Sequence, residues 1–160
     1  MLTLEILCIG RLSAAFCRDG CAEYEKRLGA FVRMTVTELP ETRLADETPA
    51  GQAKVVESEG ERLCAALDRR KGAAVVAMCV EGAMYSSPAL AELIARKQQT
   101  CSHIVFVIGG SLGLSEAVKA RADVRMSVSP MTFPHQLLRL LLLEQLYRAQ
   151  TILHNVKYHK

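Results

Sequence analysis

The chain has 160 residues, half of them hydrophobic, and a formal net charge of +3. That length makes one ordinary domain able to bury a core without staples, and the composition excludes disorder over most of the chain. The charge permits an anionic partner without demanding one, although from Pro134 onward Arg139, Arg148, Lys157 and Lys160 face a single acid, Glu144.

Leu2–Ile9 alternates as a strand does. No Lys or Arg precedes it and Glu5 interrupts it, so it does not read as a secretion signal. A helix is expected over Ser13–Leu28, with Cys17, Cys21, Tyr24 and Leu28 on one face, ended by Gly29. Val32–Leu39 reads as a second strand, Pro40–Gly51 as a loop and Gln52–Arg70 as a second helix. Ala73–Val80 is a continuous apolar run, the mark of a strand covered on both faces. A loop over Glu81–Ser86 leads to a helix that Ser87 caps and Pro88 opens. His103–Ile108 and Val124–Val128 are the last strands, with a short helix capped by Ser115 between them. Pro134 opens the final helix, which runs to about Leu153. Strands alternating with helices give an α/β fold: one domain over residues 1–160, with a parallel sheet and helices on both faces.

The cysteines at 8, 17, 21, 64, 79 and 101 form no CxxC pair and read as reduced, mostly buried thiols of a cytoplasmic protein. Neither a zinc site nor any other metal is expected. Leu137–Leu146 is interrupted by Arg139, Glu144 and Gln145 and is too short to cross a bilayer, so no membrane partner is expected either. Leucines nevertheless cover most of the last helix. A helix apolar nearly all round must be buried nearly all round, and the domain's own sheet can cover only one side. Either a homodimer interface or the domain's own loops supply the other.

Two loops carry the functional signal. Gly109-Gly110-Ser111-Leu112-Gly113 follows a strand, where glycines let backbone approach a ligand. It matches neither the dinucleotide pattern GxGxxG nor the P-loop pattern, so an adenosine without phosphates would suit it better than a nucleotide. Ser129-Pro130-Met131-Thr132-Phe133-Pro134 is stiffened by two prolines. It reads either as a fixed curve able to read a base edge or as a rigid connector. His135, in the first turn of the last helix, is either a structural hydrogen-bonder or a proton carrier. Glu144 and Arg148 stand four apart and can pair. Tyr158 and His159 gain meaning only if the end of the chain docks.

Phe106-Val107-Ile108-Gly109-Gly110, Thr132-Phe133-Pro134-His135, Glu144-Gln145-Leu146-Tyr147-Arg148-Ala149 and Tyr158-His159-Lys160, with Tyr24-Glu25-Lys26-Arg27-Leu28 after the first strand, occur in order across the whole chain. Together they resemble the RlmH family, pseudouridine N3-methyltransferases of large-subunit ribosomal RNA in the SPOUT, or α/β-knot, class. The resemblance implies a C-terminal trefoil knot, which rules against threaded connections would otherwise have discounted. It implies S-adenosylmethionine as cofactor, held by Met78, Gly109, Gly110 and Val128, Ser129, Pro130, Met131, Thr132 and Phe133. Met78 stands where the family has leucine, an apolar exchange that such a wall tolerates. The resemblance further implies a homodimer whose sites are completed by the partner subunit's tail, and a target stem-loop presented by the assembled ribosome. Arg148, Tyr158, His159 and His135 are then the catalytic candidates. A related methyltransferase with another nucleoside target, a ribosome-binding factor without chemistry and a nucleotide-dependent enzyme are the alternatives at this point.

Overall fold

Alternation along the first strand decides which helices cover which side of the sheet. In the computed structural model, which describes residues Met1–Lys160, β1 spans Thr3–Ile9. Its Leu4, Ile6 and Cys8 point into one core cluster, and Leu7 and Ile9 into another, as side chains on successive strand residues must. The remaining elements are α1 (Ala15–Leu28), β2 (Arg33–Leu39), α2 (Pro49–Asp68), β3 (Ala74–Met84), α3 (Ser87–Gln98), β4 (His103–Ile108), α4 (Glu116–Ala120), β5 (Val124–Ser127) and α5 (His135–Leu153). The first cluster joins the sheet to α1, α3 and α5; the second joins it to α2 and α4. Helices therefore lie on both faces.

All strand pairs are parallel and the order is β2-β1-β4-β3-β5. α1 and α3 carry the chain one way across the sheet on one face. α2 and α4 carry it the other way on the opposite face. Reversing direction and face together preserves handedness, so the four crossovers share one hand, as β-α-β units require.

Boundaries differ from the sequence expectation where tertiary contacts intervene. β3 continues through residues 81–84, expected as loop, because a bulge between Met78 and Ala83 lets Ala83 and Met84 pair with Met126 and Ser127 of β5. α2 begins at Pro49, not Gln52: Thr48 caps it by accepting the Gly51 N–H (3.1 Å), and the proline occupies the first helical position. Ser86, not Ser87, caps α3 and accepts from Ala89 (3.2 Å), leaving the Ser87 hydroxyl to donate to Gln145 (2.6 Å). α1 begins at Ala15, and the amides just before it, Ser13 and Ala14, donate to the side chain of Gln136 on α5 (2.9 and 3.2 Å). Ser115 caps α4, as its position predicts, accepting from Val118 (3.3 Å).

Cys8, Cys17 and Cys21 are buried, and burial pushes the Cys8 and Cys21 thiols up to about 11. These thiols are core packing, not nucleophiles. Arg139, counted among the cations of the C-terminal third, is also interior: it donates to Glu38 (3.1 Å) and to the Gly10 carbonyl (3.1 Å). It therefore adds nothing to a basic surface.

Candidate active site

The carboxyl ends of β3, β4 and β5 surround a cavity of about 730 Å³, within the range of small-molecule sites. Met78, Gly109, Gly110, Val128, Ser129, Met131, Thr132 and Phe133 line it, and so does His135. Pro130 does not; it holds the bend between two lining residues. Ile108, Leu114, Met126 and Leu138 complete the apolar wall. These four carry no chemistry of their own, and only their place next to the loops marks them.

The glycine loop is a tight turn. The Gly113 N–H donates to the Gly110 carbonyl (3.1 Å), with Gly113 at φ 83°. A Cβ on Gly109 would lie 2.7 Å from the Gly113 carbonyl carbon, closer than real side chains come. Gly110 and Gly113 form an isolated antiparallel bridge, and the backbone N–H groups of Ser111 and Leu112 find no acceptor within the chain. The second loop is knitted by its serines: Ser129 N–H donates to Ser127 Oγ (3.3 Å) and Met131 N–H to Ser129 Oγ (3.0 Å). Lys119 is the one Lys or Arg lining the cavity, and it is paired with Glu81 and with Glu116 (3.4 Å). The pocket thus offers apolar walls and open backbone donors, with no free cation for a diphosphate. No group of His, Cys, Asp or Glu side chains is placed to hold a metal ion.

A second polar cluster forms at the far end of α5. Asn155 adopts the left-handed conformation (φ 53°), which asparagine tolerates, and the Val156 N–H bonds back to the Thr151 carbonyl (2.9 Å). The chain consequently folds back along the helix. Arg148 donates to Glu144 Oε1 through Nε (3.1 Å) and Nη2 (2.6 Å). The Tyr158 hydroxyl donates to the same oxygen (3.1 Å) and lies 3.3 Å from that of Tyr24. The Arg148 guanidinium sits over the Tyr158 ring (4.7 Å), and the ring meets Tyr147 edge-on (4.8 Å). His159 Nδ1 is 3.4 Å from Arg148 Nη1. Hydrogen bonding to Tyr24, burial and the Glu144 carboxylate push the Tyr158 phenol well above its usual range. The Glu144 hydrogen bond raises Arg148 further.

Arg148, Tyr158 and His159 are therefore brought together, and His135 is not with them. Arg148 lies thirteen positions beyond His135 along the helix, about 20 Å along the axis. Tyr24 and Tyr147 belong to the cluster although their sequence positions read only as core-facing. Their hydroxyl and ring-edge contacts exist only because the tail returns.

A family model described as a predicted SPOUT methyltransferase matches residues 2–159. The chain belongs to the SPOUT methyltransferase family. Relatives named ribosomal RNA large subunit methyltransferase H include one from Pelotomaculum thermopropionicum, 46% identical over 99% of this chain and 99% of that one. Another, from Bifidobacterium animalis subsp. lactis, is 42% identical over 99% of this chain and all of that one, and one from Bacillus pumilus is 40% identical over the same shares. A solved structure from Haemophilus influenzae, described as a probable methylase family protein, superposes with a TM-score of 0.57 at 15% identity. It covers 98% of this SPOUT chain and 70% of its own, and it shows a shared fold.

Proposed function

We propose that the chain is an S-adenosylmethionine-dependent methyltransferase acting on N3 of a pseudouridine in a large-subunit ribosomal RNA stem-loop, on the assembled ribosome in the cytoplasm. Residues 1–160 act as one domain. The observation that carries this reading is the convergence of both C-terminal loops on one cavity with apolar walls, unclaimed backbone donors and no free cation. That set of groups fits a nucleoside without phosphates. When bound, the cofactor supplies a methyl group already activated on a sulfonium.

The residues divide the work. Met78, Phe133 and Leu138 provide apolar wall, Gly109 and Gly110 provide backbone approach, and Val128–Thr132 close the other side. A trefoil knot is part of this reading, and it is supported by the return of α5 from the β5 edge to pack on both α1 and α3. So is a homodimer. Leu137 and Leu141 are only half-buried on α5 and stand on one stripe with Glu144 and Arg148. A second copy joined along that stripe would bring its Arg148 and Tyr158 to a cavity from which this chain's own are far.

In that arrangement the Arg148 guanidinium stabilises negative charge developing on the base oxygens as the N3 proton leaves. Tyr158, held as a phenol, donates a hydrogen bond or stacks and does not accept the proton. His159 and His135 carry proton-handling roles. Labelled methyl transfer to ribosomes from cells lacking the protein, followed by mass mapping of nucleosides, tests the reading. N3-methylpseudouridine is the expected product; transfer to another nucleoside, or none, contradicts it.

A further inference from the structure

Behind the glycine loop lies a buried carboxyl for which the proposed reaction has no use. Glu59 on α2 is 3% exposed, and its Oε2 has no hydrogen-bond partner. A Cβ on Gly110 would lie 2.9 Å from both Glu59 oxygens and 3.3 Å from Ile9. Only glycine leaves that carboxyl its place. The next residue, Gly60, packs against Ser115, the cap of α4, so closely that a Cβ would overlap its hydroxyl. Two consecutive residues of α2 thus grip the segment from Gly110 to Ser115 at both ends.

An acceptor without a donor, Glu59 Oε2, thus stands directly behind Gly110 of the turn. Leaving a buried carboxyl unpaired is costly, and an apolar side chain of similar size would avoid the cost. Nor does an ion pair explain Glu59. Arg62 directs its guanidinium to the Pro40 carbonyl and to Thr42 and Ser58 instead. Burial pushes the Glu59 carboxyl above its ordinary range, with Glu41 adding to the rise and Arg62 and the Thr42 N–H opposing it.

We propose that Glu59 is a positioning residue of the cofactor cavity. Its carboxyl packs against the back of the Gly109–Gly113 loop at Gly110 and fixes the curve that a ligand meets at the front. Glutamine, which fills the same space and keeps an acceptor oxygen, then substitutes for it and alanine does not. This inference rests on the reading of the cavity as the cofactor site.

The test is calorimetric binding of S-adenosylhomocysteine to the full chain, with thermal unfolding recorded on the same samples. Glu59→Ala is expected to weaken binding about tenfold, and Glu59→Gln to stay within about twofold of the parent. Gly110→Ala is expected to weaken binding as well, but by less in the Glu59→Ala background, where the colliding carboxyl is gone. Parent-like affinity in Glu59→Ala with a lowered melting temperature would reduce Glu59 to a fold-stabilising residue and overturn the proposal. So would a Glu59→Gln protein as weak as Glu59→Ala, or strictly additive effects in the double variant. If the unsubstituted chain does not bind, the cavity reading itself falls; if it binds and Glu59→Ala binds equally, only the role of Glu59 falls.

Discussion

At Glu144 one carboxylate oxygen accepts twice from Arg148 and once from Tyr158, while the other accepts from Gln145 (2.7 Å), itself held by Ser87 of α3. Removing that carboxylate frees the guanidinium and the phenol together. Glu144→Ala is expected to lower the turnover of methyl transfer at least tenfold while the dissociation constant of S-adenosylhomocysteine stays unchanged; a matching loss of cofactor affinity would contradict the assignment. A different carboxylate contributes to acid stability. Burial alone would raise Glu5, but hydrogen bonds from Arg70 and Thr37 and the charges of Arg70 and His103 prevail, so it lies below its ordinary 4.5. Its stabilisation is complete above about pH 4.5, where the unfolded group ionises, and is lost as pH falls through the lower folded value. Urea unfolding between pH 6 and pH 3 checks this: Glu5→Gln should flatten the acid limb of stability against pH. At this scale the sequence was legible where spacing creates a partner, as in Glu144 and Arg148 one helical turn apart. It was silent on the polar contacts of Tyr24 and Gln136, whose partners lie far along the chain, and on Glu59, which packs behind a distant loop.

Helix α5 joins the cavity to the polar cluster proposed to act with it, with His135 at the cavity and Arg148 near the other end. Its leucines divide by depth. Leu142, Leu143 and Leu146 are wholly buried against α1, α3 and the sheet, and Leu137 and Leu141 are not. A charge at the half-exposed stripe therefore spares the core while opposing association. Leu141→Glu is expected to stay folded by circular dichroism, to elute as a monomer in light-scattering chromatography and to lose methyl transfer. Dimers in that variant would place the interface elsewhere. The strands and helices were readable because parallel sheets demand continuous apolar runs and helices leave caps. Their edges were misread at β3, where a bulge extends pairing, and at α2, where Pro49 starts a helix and does not end a loop.

For the whole molecule, a site shared between two chains has a signature that no single-chain site has. A cavity variant such as Gly109→Val, which intrudes on Gly113, and a tail variant such as Arg148→Ala are each expected to be inactive alone. Mixed and exchanged, half the dimers are hybrids with one intact site each, so about a quarter of the sites recover. Recovery absent after proven exchange would mean that cavity and tail act within one chain. The parallel fold was visible in the pattern of runs and caps. The proposed threading was not, because it leaves local periodicity unchanged and only the resemblance of the loops and tail pointed to it; the proposed pairing of chains was hinted at by the apolar circumference of the last helix. The most direct measurement is a crystal structure of the chain with S-adenosylhomocysteine. The ligand should lie between the Gly109–Gly113 and Val128–Phe133 loops, with the partner subunit's Arg148 and the partner subunit's Tyr158 facing its sulfur. A ligand bound elsewhere, or a cavity to which no second copy brings those two side chains, would contradict the account.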